Sequence, residues 1–565
     1  KMDQLDLVVI GTGTYGLAAA KQYYCQHPDS SIALFESSNS VGGTWSNDRL
    51  YPGLKSNNLV GTYEYPDFPM TEERFGVPPR NHVPGTVIHE YLEAYAKEFG
   101  IFEHVRFNTK VFSAEHLPEG GWILETAGPE GTSKVSTHKL IVATGLTSEP
   151  IMPHIKGQED FDRPLFHIKD FRKHEETIKT AKRVTVFGGT KSAWDAVYAY
   201  GTRGIPVDWI IRPTGHGPCW MSPPFVTPLK KWLEKLVSKY IGYQGVLNFY
   251  HRTAVGRAIT NGFWNTIAND VITLMGFDKH PECAKLKPTA EALHTGTCFS
   301  ILNYDTDFFE PIRNGTVKIH EADLSHLSEG KVHLDDTEGT VLESDAFLCV
   351  TGWKQRPPMK FLPEGIERKI GLAYVPTSAD QGLAPDESLA AQEDLLEKAD
   401  AEIQARFPRL TVPMNETPAT EAETAPNSPY TTPMLYHFMV PGTAEFLRTK
   451  DLAFAGQVTN FSNVICAHIQ GLWISSFFDG KLTHDVHWQT VLHNRFGKWR
   501  YPKDAGAKHP DFVFEAVQYL DMMMADMGLK VHRKSGWLKE ITDPYGPEDY
   551  RDINDELNAK FSKDQ

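Results

Sequence analysis

Cysteine is scarce and scattered. The 565 residues carry six, Cys25, Cys219, Cys283, Cys298, Cys349 and Cys466, and no two stand in a C-x-x-C spacing. That argues against a disulfide framework, a thiolate zinc site and a redox dithiol, and a reducing compartment is expected. Basic charge is in deficit. There are 57 Lys and Arg against 72 Asp and Glu, a net −15, so neither nucleic acid nor an anionic membrane is expected as the main partner. Long apolar runs are missing too. The nearest, from Val458 to Phe478, is broken by Asn460, Asn463, His468 and Gln470, so no membrane span is expected. No secretory leader pattern precedes the first glycine loop, and the expectation is a cytoplasmic protein. There is no G-x-S-x-G, no H-E-x-x-H and no P-loop, so serine-hydrolase, zinc-protease and P-loop phosphate chemistry lack their residues. What is present is ordinary for a soluble globular protein: 41% apolar and 23% charged residues, in a chain too long for one core.

Two glycine-rich turns stand out. The first, Gly11-Thr-Gly13-Thr14-Tyr15-Gly16, follows the apolar run Leu5–Ile10 and opens an alanine-rich helix. Its next strand, 31–36, ends in Glu36, 20 residues past Gly16. Glycines at these places allow the turn, let backbone N–H groups approach a pyrophosphate, and let helix and strand pack closely. The second turn, Gly188-Gly189-Thr190-Lys191-Ser192-Ala193, follows the run 182–187, and its next strand ends in Arg212. An acid at that edge accepts hydrogen bonds from a bare ribose, whereas an arginine suits a 2′-phosphate. The expectation is two dinucleotides of different kind, with Lys191 joining Arg212 at the phosphate. Thr190 stands where the second glycine would be and is expected to crowd the backbone's approach.

The fold class read from this pattern is α/β, with two Rossmann-like dinucleotide-binding domains, a helical insert and a helical C-terminal tail. Residues 222–310 are rich in Trp, Phe, Tyr and Leu and read as the insert. Trp220, Trp232, Phe249, Phe263 and Trp264 are candidates for a cavity wall. The stripe Leu395, Leu396, Ala399 and Ile403 predicts a helix, and a Thr/Pro/Glu-rich stretch at about 411–433 predicts an exposed loop. Leu140–Gly145 and Ser344–Gly352 both read as a strand closing in a tight turn.

Three more stretches carry a resemblance. One is Phe161-Asp-Arg163-Pro-Leu-Phe-His167-Ile-Lys-Asp-Phe171, between the two turns. Another is Ser56-Asn57-Asn58 followed by Asp67-Phe68-Pro69. The third is Gln470-Gly-Leu472-Trp473. With the two turns, they make the chain resemble the flavin-containing monooxygenases, the class B flavoprotein monooxygenases, and most closely the fungal members of secondary metabolism. The resemblance runs from Val8 to about Lys534. The first stretch matches F-x-G-x-x-x-H-x-x-x-F/Y except at Arg163, where the family has Gly. The third resembles Q-A-R-W, with Leu472 for the arginine.

The resemblance implies FAD at the first turn, touched by Gly11, Gly13, Thr14, Tyr15, Gly16, Glu36, Gly43, Thr44, Trp45, Asn57, Val111, Gly145 and Gln470. It implies NADPH at the second, held by His167, Gly188, Gly189, Thr190, Lys191, Ser192 and Arg212. Gly42-Gly43-Thr44-Trp45 would let backbone and indole cover the flavin. NADPH would reduce the flavin, O2 would add at C4a to give a hydroperoxide, and Asn57 would support it as the catalytic residue. A soft N or S nucleophile on a small organic substrate would then take one oxygen atom. The implied domains are 1–153 (FAD, first part), 154–355 (NADP, with the insert at about 222–310) and 356–565. The last would be the second FAD part, with a loop-rich insertion at about 375–433 and the tail. Other readings stay open: Baeyer–Villiger oxygenation of a ketone, and a flavoprotein oxidase or binding protein on the same fold. A disulfide reductase shares the two-nucleotide plan but needs a near-spaced cysteine pair. No metal is expected, and oligomeric state is unread.

Overall fold

In a computed structural model, the residues described are 2–223, 252–292, 299–411, 428–482, 486–501, 510–513 and 515–563. Trp232 and Phe249 lie outside them, as do 224–251 of the expected insert and 412–427 of the expected loop.

Two sheets organise the chain. The first starts at strand β1 (Asp3–Ile10), whose last four residues are buried on both faces, as a central parallel strand requires. β1 pairs in parallel with β2 (Ile32–Phe35) on one side and with Gly131–Val142 on the other. Strands Lys110–His116 and Trp122–Gly128 extend the sheet as antiparallel neighbours. Two late strands return to it: Lys360–Leu362 pairs with Lys110–His116, and Leu452–Phe454 pairs with the end of Gly131–Val142. The second sheet is all parallel, in the order 165–167, 346–349, 184–187, 207–211, 317–321. Its strand Val184–Phe187 runs into the second glycine turn and the helix Lys191–Gly201. The expected strand at 344–352 is Ala346–Cys349.

The run Val458–Phe478 ends as a buried helix, Asn463–Phe478, packed on helix α1 (Thr14–Gln26). A Cβ at Gly471 would stand 2.9 Å from the Ala18 carbonyl oxygen, so the two backbones approach at a glycine and an alanine face. Two polar residues in that helix find partners inside the protein. His468 Nδ1 is 3.1 Å from Gln22 Nε2, and Gln470 hydrogen-bonds at both ends of its amide. Among the described residues no helix is long and apolar enough to cross a membrane.

The apolar stripe at Leu395, Leu396, Ala399 and Ile403 forms the helix Glu393–Arg406, which packs on the tail helix Val486–Arg500. The tail continues as Ala516–Asp526, Trp537–Thr542 and Ile553–Lys563. In the described part of 222–310 the main element is the helix Ala254–Met275. There Trp220, Phe263 and Trp264 are buried core, and Trp220 Nε1 donates to the Ala290 carbonyl.

Burial pushes the imidazole of His468 down to about 4 and that of His493 down to about 3. Both rings are therefore neutral in the fold at pH 7, whereas an unfolded histidine takes a proton near 6.5. Stability is complete above that value and is lost as the pH falls below it. One pKa unit is worth about 1.4 kcal/mol, so each ring costs about 2 kcal/mol by pH 5. The thermal midpoint is expected to drop by several degrees between about pH 7.5 and about pH 5. A flat midpoint over that range would contradict the burial of both rings.

Candidate active site

The first turn is built by close backbone contact. Gly11 has φ +102°, and a Cβ there would lie 2.3 Å from the Ala143 carbonyl oxygen. A Cβ on Gly16 would lie 2.0 Å from the Gly11 carbonyl oxygen, so this third glycine lets the helix close on the turn. Gly13 and Gly43 face each other, a Cβ on Gly43 standing 3.0 Å from the Gly13 Cα. Together they leave a cradle free of side chains at the start of α1, where a helix N-terminus favours an anion.

Glu36, just past β2, is buried. One carboxylate oxygen accepts from the Thr12 N–H (3.0 Å) and hydroxyl (2.6 Å), the other from Ser38 N–H (2.8 Å). Val111 is buried beside this edge, where Thr109 N–H donates to the Glu36 carbonyl at 2.9 Å. Other residues expected at the flavin make contacts of their own. Thr14 O accepts from Tyr65 OH (2.6 Å), and the Tyr15 ring packs on Gly456. Thr44 Oγ1 is 3.2 Å from Thr147 Oγ1, close to Gly145, and Trp45 Nε1 donates to Tyr63 OH at 3.0 Å.

The second turn repeats the first. Gly188 has φ +135°, and a Cβ there would lie 2.2 Å from the Val350 carbonyl oxygen, the counterpart of Ala143. A Cβ on Gly189 would meet the Gly217 carbonyl at 2.5 Å. Thr190 caps the helix at φ −80° and is exposed, so a β-carbon costs nothing there in backbone strain. Ser192 follows in the first turn of the helix. Arg212 is exposed at the end of its strand, its guanidinium 5.5 Å from the Phe187 ring centroid.

Lys191, expected beside Arg212 at the 2′-phosphate, is hydrogen-bonded inside the protein. Its Nζ donates to Asp195 Oδ1 (2.5 Å), Asn303 Oδ1 (2.8 Å) and Tyr304 OH (3.0 Å). These three partners can take up all three ammonium protons. Gln470, expected at the flavin, is likewise hydrogen-bonded inside the protein. It is fully buried, its Oε1 accepts from Gly456 N–H (3.0 Å), and its Nε2 donates to Tyr519 OH (2.8 Å). It holds the turn that packs on Tyr15 rather than presenting a free amide to a ligand.

The two halves meet where the paired turns leave their sheets. Ile151 N–H donates to the Gly352 carbonyl (3.0 Å), and Thr351 Oγ1 donates to the Ile151 carbonyl (2.5 Å). Segments 149–150 and 353–354 pair antiparallel there. His167 ends the strand Leu165–His167 at this junction, its ring 4.6 Å from that of Trp353, edge to face. Nδ1 accepts from Lys169 N–H at 3.2 Å. Burial pushes this imidazole down to about 4, so it is neutral at pH 7. Phe161 and Phe171 are buried anchors on either side. The positive φ in this stretch, +51°, falls on Asp162 and not on Arg163, so an arginine in place of glycine brings no strain.

Asn57 lies on β3 (Lys55–Leu59), where alternation buries Ser56 and Asn58. Ser56 Oγ accepts from Val83 N–H (2.9 Å), and Asn58 Nδ2 donates to the Phe461 carbonyl (3.0 Å). Pinned on both sides, Asn57 points the other way and donates from Nδ2 to Ser300 Oγ, 3.3 Å away in the second half. The sequence reading missed Tyr51, Asp195, Asn303 and Tyr304, which also bridge the halves. Asp195 alone was visible, four residues past Lys191 on a helix.

Two alike-built dinucleotide turns, one edged by an acid and one by an arginine, define a two-nucleotide oxidoreductase. Residues 5–202, from β1 through the second-turn helix, match the family model FMO-like, Flavin-binding monooxygenase-like. The chain resembles that family over these residues, and it is a flavoprotein monooxygenase. It is 29% identical over 577 residues to the FAD-dependent monooxygenase DEP4 of Alternaria brassicicola, covering 98% of this chain and 95% of that protein. Its fold is that of cyclohexanone monooxygenase from Rhodococcus sp. Phi1 bound to NADP+, with TM-score 0.60, 15% identity, and 93% of this chain and 97% of that one covered. The S-allyl-L-cysteine S-oxygenase of Allium sativum is also similar, with TM-score 0.53, 16% identity, and 99% and 98% covered.

Proposed function

We propose that the enzyme inserts one atom of O2 into a nitrogen or sulfur centre of a small organic molecule, with FAD at the first turn and NADPH at the second. FAD and NADPH are its cofactors. The cradle formed by Gly11, Gly13, Gly16 and Gly43 has room for a pyrophosphate, and Glu36 has the acceptor character a bare ribose needs. The second cradle at Gly188 and Gly189, with exposed Arg212 at its edge, has the chemistry for a 2′-phosphate. Bound there, the nicotinamide supplies hydride and the flavin activates O2. The chain's own share is to hold the two rings in register, exclude water and present Asn57.

The observation that carries this reading is Asn57 on β3, aimed at the second half from between the two turns. Heteroatom oxygenation is supported by what flanks it. Lys55, two residues before Asn57, and Lys191 are each paired with a carboxylate, Asp305 and Asp195. Asn57 itself meets a neutral serine hydroxyl. A ketone pathway needs a base or an unpaired cation to keep the oxidant deprotonated. Baeyer–Villiger oxygenation is the second reading, because the fold is shared with a cyclohexanone monooxygenase, a likeness of fold alone. NADPH-dependent oxygen uptake with matched amines, sulfides and ketones separates the two. Product from amine or sulfide is expected, and lactone or ester from ketones alone would overturn the first reading.

Arg212→Ala removes the charged donor at the second ribose edge. A charge-assisted hydrogen bond is worth about 1.5–3 kcal/mol. The preference for NADPH over NADH, as a ratio of kcat/KM, is therefore expected to fall by about 10- to 100-fold. An unchanged ratio would contradict the assignment of this edge.

A further inference from the structure

We propose that Lys191 and Asp195 are positioning residues. They form a clasp that locks the second glycine turn to the strand carrying Asn57, and so set the register between the two cofactor sites. The inference rests on the function proposed above. Lys191 is the first residue of the helix that opens at the second turn, so it moves with any ligand held there. Asp195 sits one turn further on, about nine-tenths buried. Its Oδ1 accepts from Lys191 (2.5 Å) and from Tyr304 OH (2.7 Å), and its Oδ2 accepts from Tyr51 OH (2.8 Å).

Tyr51 belongs to the first half, and it is followed four residues later by β3. Burial, then the nearby Asp195 charge, pushes both phenols well above their ordinary value, so each remains a hydrogen-bond donor. Asn303 closes the circuit. Its Oδ1 accepts from Lys191, and its Nδ2 donates to the backbone carbonyls of Ser56 (3.1 Å) and Lys55 (3.4 Å). Those carbonyls immediately precede Asn57 in the chain. Three residues before Asn303, Ser300 accepts from Asn57 itself.

A buried ion pair with all its donors spent contributes little net stability, but removing one partner leaves a charge stranded. Its value here is geometric. A hydride must pass between two rings held by different halves, and a shift of about 1 Å can cost 10²-fold in rate. The helix turn that takes the dinucleotide and the strand that carries Asn57 are tied by one lysine.

The test uses the purified holoenzyme and three variants: Lys191→Met, the near-isosteric Asp195→Asn, and Arg212→Ala. Four readouts are taken: FAD content, the rate of flavin reduction by NADPH and by NADH, peroxide released per NADPH, and hydrogen exchange of peptides covering 53–60 and 299–306. The clasp variants are expected to retain FAD and to slow reduction by both nucleotides by the same factor, at least about 5-fold. The peroxide fraction should rise, and exchange at both peptides should quicken at least about 10-fold. The NADPH-to-NADH preference is expected to stay at the wild-type value, and to fall only in Arg212→Ala. If Lys191→Met loses that preference as Arg212→Ala does, Lys191 is a phosphate ligand and the clasp is wrong. If exchange at 53–60 is unchanged in both clasp variants, the clasp is likewise overturned. A wild-type flavin that NADPH does not reduce would sink the proposed function, while the exchange data would still decide the clasp.

Discussion

Gly16→Ala is expected to yield protein without bound flavin. The added methyl would sit 2.0 Å from the Gly11 carbonyl oxygen, 2.9 Å from its carbon and 3.3 Å from the Ala143 Cβ. The two nearest of these atoms are backbone, and they belong to the turn that would receive the pyrophosphate, so neither can yield as a flexible side chain would. Helix α1 would have to retreat. It is held from behind by Asn463–Phe478, packed closely at Gly471. Overpacking of this kind costs about 1–3 kcal/mol, and it falls on the backbone N–H groups that must point at the phosphates. Flavin affinity is expected to drop by about 5- to 150-fold, read as loss of yellow colour after gel filtration. Gly262→Ala is the control. It lies within the helix Ala254–Met275 with no atom near its Cβ position, and the exchange is expected to stabilise that helix by up to about 1 kcal/mol. A fully yellow Gly16→Ala protein would contradict the placement of the dinucleotide.

Asn57→Ala is expected to separate NADPH consumption from oxygenation. Its backbone stays fixed by Ser56 and Asn58, so FAD and NADPH binding should survive. What is lost is a polar donor facing the interface between the two halves. A preorganised donor at a reacting centre is worth about 2.7–4 kcal/mol, which corresponds to roughly 10²–10³-fold in rate. Product formation is expected to fall by at least about 10-fold, with most electrons leaving as peroxide and NADPH oxidation within about 3-fold of wild type. Asn57→Asp is the informative second variant, because it keeps the shape but replaces the amide donor with a carboxylate. Unchanged product yield in Asn57→Ala would remove the residue from the chemistry.

Legibility in the sequence followed the range of the interaction. The glycine turns were readable because their demands are local. Gly11 and Gly188 each take a positive φ against a neighbouring carbonyl, and the strand before and the helix after announce the place. Glu36 and Arg212 were readable because a strand of known length fixes where its last residue falls. The helical stripe ending at Ile403 followed the 3.6-residue period. The partners of Lys191 were not legible because they are tertiary. Asn303 and Tyr304 lie more than a hundred residues away, and no local rule brings them to the second turn. Gln470 was expected at the flavin from the likeness to Q-A-R-W, and the partners its amide finds, Gly456 and Tyr519, are set by tertiary packing. Arg163 and Thr190 looked like departures that would weaken the second site. In the structure one avoids the positive φ and the other points into solvent.

The account centres on one transfer: hydride enters from a nucleotide at the second turn and reaches a flavin at the first. The most direct measurement mixes the purified yellow protein with one equivalent of NADPH without oxygen, then admits air together with a soft amine or sulfide. The flavin's visible absorbance is expected to bleach with NADPH far faster than with NADH. On admitting oxygen it should return, with one oxygenated product formed per NADPH consumed. A colourless protein, or a flavin that NADPH leaves oxidised, would contradict the account at its root.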